Sequence, residues 1–376
     1  MELHECVKEM GNELVSLRRA LHRIPEESFK EFKTSKFIWE YLAALHPDSI
    51  SILAKTGVKA VFHAGASRTI AVRADIDALP VEEKTALPFA STHAGFMHAC
   101  GHDGHMAAAL CMAKLVAARR GSLKTNFVFL FQPAEETIGG AKPMIDEGAL
   151  NEPHIDEIYG IHLWPGVPKG KIGLKAGALM ANMCDMNIRI TGKTAHGAAP
   201  HCGRDALLAA AHFVTQANSI LSRNIDPTSP AVLNIGRMQA GDARNIVCGE
   251  ALIEGTVRSF DDDVAQGIKS RIIEIMEGID KSFGTQSEYF ETMAYPALIN
   301  SAELYERASK RFEDEDIFKT PAFMMSEDFA FFAKETKGLF AFIGTGGEPL
   351  HSDKFDFDET ILNCALEYYV RVCDIG

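Results

Sequence analysis

No stretch of this 376-residue chain approaches the ~20 consecutive apolar residues that a membrane-spanning helix requires. The polar, acidic start Met1-Glu2-Leu3-His4-Glu5 also lacks the character of a secretory leader. Basic charge is scarce: 38 Lys and Arg against 51 Asp and Glu leave a formal net charge of −13. That balance excludes the basic face needed to hold nucleic acid or an anionic membrane. Paired cysteines are missing as well. The eight cysteines are scattered singly, with no CxxC and no disulfide-framework spacing, which reads as reduced thiols in a cytoplasmic protein. There is no internal repeat and no low-complexity tract, so solenoid and linker architectures drop out. The expectation is a soluble, cytoplasmic, globular protein, long enough for two domains.

The densest chemistry lies in His98-Ala99-Cys100-Gly101-His102-Asp103-Gly104-His105, which runs into an Ala-rich helical pattern from Met106 to Arg119. Cys100 and His102 are two apart, so both side chains can face one point where the chain is extended or turning. A thiol at a helix N-terminus is biased toward the thiolate, the form that binds metal. A buried thiol beside a few surface histidines is the alternative, and the cluster alone does not choose between them.

The runs around it tip the balance. Apolar positions Leu14, Leu17 and Leu21 follow helical spacing until Pro25, and a second helix is expected from about Thr34 to Leu45. Thr69–Arg73 is a short β-branched run leading to Asp75 and Asp77. Asn126–Phe131 is apolar on both faces, as buried parallel strands are, and ends in Gln132-Pro133-Ala134-Glu135-Glu136. Glu157–Ile161 ends at His162, and Leu339–Ile343 is followed by a glycine-rich turn and His351. Each polar group lies just past the carboxyl end of a predicted strand, the edge where open α/β sheets bind ligands. Their convergence favours a metal site at Cys100.

Between about Asn182 and Thr292 the pattern changes to strand, helix, two strands, helix, strand. The runs are Asp185–Ile190, Arg204–Leu221, Val232–Met238, Ala251–Val257, Asp262–Phe283 and a last strand from about Glu288. That order suggests a ferredoxin-like α+β module. The expected architecture is an α/β domain with an open mixed, mostly parallel sheet and flanking helices, formed by residues 1–181 and 293–376. A lid or dimerisation domain, residues 182–292, is inserted in it.

The ordered motifs Leu21-His22-Arg23-Ile24-Pro25-Glu26, Arg73-Ala74-Asp75-Ile76-Asp77-Ala78-Leu79-Pro80 and Cys100-Gly101-His102-Asp103-Gly104-His105 belong together. With them stand Gln132-Pro133-Ala134-Glu135-Glu136, Gly160-Ile161-His162-Leu163-Trp164-Pro165, Thr191-Gly192-Lys193-Thr194-Ala195-His196-Gly197 and Ser326-Glu327-Asp328-Phe329. Over nearly its whole length the chain resembles the metal-dependent aminoacylase family, which includes hippurate hydrolase, the indole-acetyl-amino-acid hydrolases and bacterial N-acetyl-amino-acid deacetylases. The resemblance implies a zinc-exopeptidase-like fold and two divalent metals, zinc or manganese. Cys100 would bridge them, His102 and His162 would complete one site, and Glu136 and His351 the other. Glu135 would be the general base for attack by a metal-activated hydroxide. Asp75 is read as an acceptor that orients a ligand. His196 would reach a partner subunit and steady the oxyanion, which implies a homodimer, and Asn245 and Arg258 would hold the amino-acid end of the substrate.

The implied reaction is hydrolysis of an N-acyl amino acid to a carboxylate and a free amino acid. The alternatives are a dipeptidase or carboxypeptidase with the same metal site, a non-catalytic amino-acid or peptide-binding protein, and thiol chemistry at Cys100. His105 is read as a residue that packs or supports a ligand from behind rather than a ligand itself, and His98 as an ordinary histidine.

Overall fold

The computed structural model describes residues Met1–Gly376, arranged in two compact units. The first comprises Met1–Gly177, Ile299–Pro321 and Asp328–Gly376; the second comprises Ala178–Leu298 and Ala322–Glu327. No helix is long and apolar enough to cross a membrane.

An eight-stranded mixed sheet organises the first unit. Its centre is four neighbouring parallel strands in the order Asn126–Gln132, Thr69–Asp75, Glu157–Trp164 and Lys337–Gly344. They are buried along almost their whole length, which explains why Phe127, Val128, Phe129, Leu130 and Phe131 succeed one another without alternation. Shorter, mainly antiparallel strands flank this centre: Ser49–Leu53 and Gly57–Phe62 on one side, Ile172–Leu174 and Ile317–Lys319 on the other. Asp75 lies opposite Gln132, and His162 opposite Phe342, so the four carboxyl ends share one edge. The chain passes from the Thr69–Asp75 strand to its neighbour on one side, then to its neighbour on the other. Such a reversal opens a crevice at the carboxyl edge.

Helix His102–Arg119 packs on this sheet together with helices Glu5–His22 and Ile361–Val372. Every residue from Met106 to Ala113 is buried, the mark of a helix covered on all sides. It begins four residues before the Ala-rich run, because Gly101 adopts a left-handed φ of 84° and turns the chain straight into the first turn. The polar first turn can be buried because Asp103 is matched. Its Oδ2 accepts from Arg18 Nε at 2.9 Å and lies 2.8 Å from His22 Nδ1.

The second unit is a four-stranded antiparallel sheet in the order Ala231–Ala240, Glu250–Ser259, Met183–Thr191, Gln286–Tyr295. With helices Ala206–Ala217 and Asp262–Phe283 this is the ferredoxin-like arrangement. Met186, Ile188 and Ile190 share a core with Phe213 and Ile272. The helix expected over 204–221 is broken into Ala206–Ala217 and Ile220–Asn224. At the break Asn218 Nδ2 and Ser219 Oγ donate to the carbonyls of Val214 and Gln216, drawing those groups away from helix continuation.

One contact tests the tightness of the parallel centre. A Cβ on Gly160 would stand 2.8 Å from Phe340 Cδ2 and 2.9 Å from Phe329 Cε2. Gly160→Ala is therefore expected to destabilise the fold by about 1–3 kcal/mol, as overpacking does, measured by denaturant unfolding. An unchanged midpoint would show that the aromatic pair yields freely.

Candidate metal centre

At the shared carboxyl edge five side chains from four separate segments come together. The Sγ of Cys100 lies 3.3 Å from His162 Nε2. Glu136 Oε1 lies 3.7 Å from His102 Nε2 and 3.5 Å from His351 Nε2. Two donor triplets result, Cys100–His102–His162 and Cys100–Glu136–His351, and within each the donor atoms are no more than 4.8 Å apart. They share the one sulfur. Glu135 also lies close, its carboxylate within 4.8 Å of His102 and Glu136.

The backbone orients the imidazoles. His102 Nδ1 is 2.9 Å from the Asp77 carbonyl, and His162 Nδ1 is 2.8 Å from the Leu163 carbonyl. An Nδ1–H donated to a carbonyl leaves the Nε2 lone pair facing the cluster, the tautomer a metal requires. His351 sits on a loop with its side chain about half exposed, and the loop is tied to the thiol's own segment by His351 N–H donating to the Ala99 carbonyl at 2.8 Å.

These residues fit a pair of divalent cations. His102 Nε2 and Glu136 Oε1 are buried and make no hydrogen bond, a costly state unless another group meets them. Tetrahedral bonds of 2.3 Å to sulfur and about 2.0 Å to nitrogen would put two donors on one ion about 3.5 Å apart, close to the spacing of Cys100 and His162. The electrostatics agree. Burial, then Glu136 and Glu135, push the Cys100 thiol well above its ordinary range. Burial would lower His102, but Asp75, Asp77 and Glu136 outweigh it and raise the imidazole to about 10. The excess of negative groups calls for positive charge.

Asp75 is fully buried at the end of its strand, and its closest imidazole is not His102 but His105, whose Nδ1 lies 2.6 Å from Asp75 Oδ1. His105 Nε2 in turn accepts the N–H of Leu163 at 2.9 Å, beside His162. His105 thus links Asp75 to the His162 segment. The only sequence signal was its place three residues after His102, on the same helical face. Arg73, fully buried, donates to Asp75 Oδ2, Asp328 Oδ1 and Gln132 Oε1, each at 2.8 Å. Asp77 is also closely involved, its Oδ2 accepting the Glu136 N–H at 3.0 Å.

The remaining expected residues lie in the second unit. His196 is exposed on a two-residue strand paired with Ile246, and Asn245 is its neighbour there, its carbonyl accepting the Gly197 N–H at 2.7 Å. Arg258 is half-buried on the Glu250–Ser259 strand and donates to the Met324 carbonyl at 3.2 Å.

Thiol, imidazole and carboxylate donors gathered at the carboxyl edge of an open α/β sheet are the equipment of a metal-dependent hydrolase. The model of peptidase family M20/M25/M40 matches residues 71–374. The chain belongs to this family and is a hydrolase of amide bonds. It is 38% identical over 365 residues to N-acetyldiaminopimelate deacetylase of Streptococcus uberis, covering 94% of this chain and 96% of that protein. With N-acetyl-L-cysteine deacetylase of Bacillus subtilis it shares 40% identity over 359 residues, covering 94% and 85%. Among solved structures, a dinuclear metal-binding M20 peptidase from Bacillus subtilis superimposes with a TM-score of 0.84 at 34% identity, covering 97% of this chain and 98% of that one.

The buried charges beneath the site make a direct prediction. Replacing Arg73 by Met leaves Asp75 and Asp328 without their cation and is expected to cost about 3–5 kcal/mol, read by chemical denaturation. A loss below 1 kcal/mol would show that these carboxylates find other partners.

Proposed function

We propose that this protein is a dinuclear metal-dependent amidohydrolase that cleaves N-acyl amino acids, acetylated ones foremost, to a carboxylate and a free amino acid. The observation that carries the reading is the pair of donor triplets sharing Cys100. Its deacetylase relatives support the substrate class. Cys100, His102 and His162 would hold one divalent ion and Cys100, Glu136 and His351 the other, a pair that when bound polarises an amide carbonyl and lowers the pKa of water toward ~7. The donors suit zinc, and the mixed nitrogen and oxygen set also suits manganese.

The chain's own groups complete the reaction. Glu135 takes the proton from the attacking water and delivers it to the departing amine. His196, contributed by a partner subunit, donates to the developing oxyanion. Arg258 and Asn245 hold the substrate's carboxylate, which a chain of net charge −13 would otherwise repel. The second unit serves as lid and as the homodimer contact; Leu207, Leu208 and Ile246 expose apolar side chains on it. A cytoplasmic location fits the unpaired cysteines.

A panel of N-acetyl and N-benzoyl amino acids and dipeptides, assayed with added Mn²⁺ or Zn²⁺, tests the reading. The expected result is turnover of acylated amino acids above that of dipeptides, abolished by chelation. Faster dipeptide cleavage would make the enzyme a dipeptidase instead. Glu135→Gln should keep its fold and metal content and lose about 10²–10⁴-fold in kcat. Retention of near-normal turnover would remove Glu135 from the mechanism.

A further inference from the structure

The motif Leu21-His22-Arg23-Ile24-Pro25-Glu26 and the turn after it contribute no donor to the cluster, yet they lead to a buried carboxylate that grips the catalytic loop. Glu31 has no solvent exposure. Its Oε2 accepts the Thr56 hydroxyl at 2.6 Å, and its Oε1 accepts the backbone N–H of Ala134 at 3.0 Å. Ala134 is itself fully buried and has a φ of 56°, a left-handed conformation that a residue with a Cβ seldom adopts without being held. The next two residues are Glu135 and Glu136.

The rest of the turn is pinned in the same way. Ala134's carbonyl accepts the Gly139 N–H at 3.1 Å. Asp77 Oδ2 accepts both the Glu136 N–H at 3.0 Å and the Ser28 hydroxyl at 2.8 Å. Residues 28–31 thus reach the two glutamates along two routes, through Ser28 and Asp77 and through Glu31 itself. Burying a carboxylate is costly. Here its two oxygens are spent on one strained backbone N–H and on the hydroxyl that keeps the carboxylate in place.

We propose that Glu31 is a positioning residue for the Glu135–Glu136 pair: by accepting the Ala134 N–H it maintains the left-handed turn that aims Glu135 at the substrate and Glu136 into the donor cluster. The proposal rests on the roles given to those two glutamates above. An apolar side chain at 31 would leave the Ala134 N–H unpaired and let the turn relax. A glutamine would still accept from Ala134 and could donate to the Thr56 oxygen.

The test compares Glu31→Leu and Glu31→Gln in the full chain, reading Zn²⁺ and Mn²⁺ binding by calorimetry alongside kcat and KM on the best N-acetyl amino acid. Glu31→Leu should weaken one of the two metal-binding steps at least tenfold and lower kcat about 10²-fold with KM within about threefold. Glu31→Gln should stay within about threefold of the parent in all three. A purely structural role would instead lower the melting temperature and leave kcat per folded molecule unchanged, overturning the proposal. So would Glu31→Gln falling as far as Glu31→Leu. Should Glu31→Leu not fold, Thr56→Val, which frees one oxygen of Glu31, is to show a smaller loss in the same direction; parental metal binding and kcat in that variant would reject the idea. If the parent hydrolyses no N-acyl amino acid, the proposed activity fails, while selective loss of one metal-binding step in Glu31→Leu would still support Glu31's hold on the turn.

Discussion

Buried negative charge is the constraint from which the first unit is built. Asp75 and Asp77 are fully enclosed, Glu136 nearly so, and a thiol sits among them. In a medium that screens charge poorly such a group survives only when paired or fully hydrogen-bonded. Arg73 answers part of the demand by bridging Asp75 and Asp328 beneath the site. Above it the demand remains: His102 Nε2 and Glu136 Oε1, 3.7 Å apart and buried, make no hydrogen bond. A site of this kind is assembled for a cation, and the belonging of the chain to peptidase family M20/M25/M40 agrees with it.

The parallel sheet makes the arrangement possible. Four neighbouring strands end together, so residues as far apart in sequence as Asp75 and His351 can come from one edge with little intervening loop. Helix His102–Arg119 brings the remaining donors at its start, where the left-handed Gly101 turns the chain. Precision then comes from backbone groups. The carbonyls of Asp77 and Leu163 orient imidazoles, while backbone N–H groups of Ala134, Glu136 and Leu163 are held by Glu31, Asp77 and His105. Rigid elements place the donors to within a few ångströms, and this buried polar network narrows their aim.

Much of this was readable beforehand because the signals are local. Phe127 to Phe131 could be seen as a strand covered on both sides, and the alternation Met186, Ile188, Ile190 as one covered on a single side, since burial writes its period into the chain. The short strands Ser49–Leu53, Gly57–Phe62, Ile172–Leu174 and Ile317–Lys319 were not legible. They are brief, and their pairing depends on neighbours far away in sequence, so little in their own composition marks them. The start of the Cys100 helix was read four residues late because His102 and Asp103 are poor indicators of a buried helical turn. Only the approach of Arg18 and His22 makes that turn tolerable.

Residue types and strand ends marked a wider set of polar groups, Asp75, Asp77, Cys100, His102, Glu135, Glu136, His162 and His351, because ligating chemistry is a property of the side chain and strand ends follow from the apolar runs before them; the family resemblance narrowed the set to five donors. The resemblance also implied how the donors divide around Cys100, but the distances between them, and which nitrogen of each ring faces the cluster, could be known only after the chain closed on itself. The same holds for the backbone contacts of His105 and Glu31, which accept the N–H of Leu163 in one case and of Ala134 in the other. A hydrogen bond to a main-chain N–H leaves no mark on the identity of the residue that donates it, so no reading of the letters could have found those two contacts.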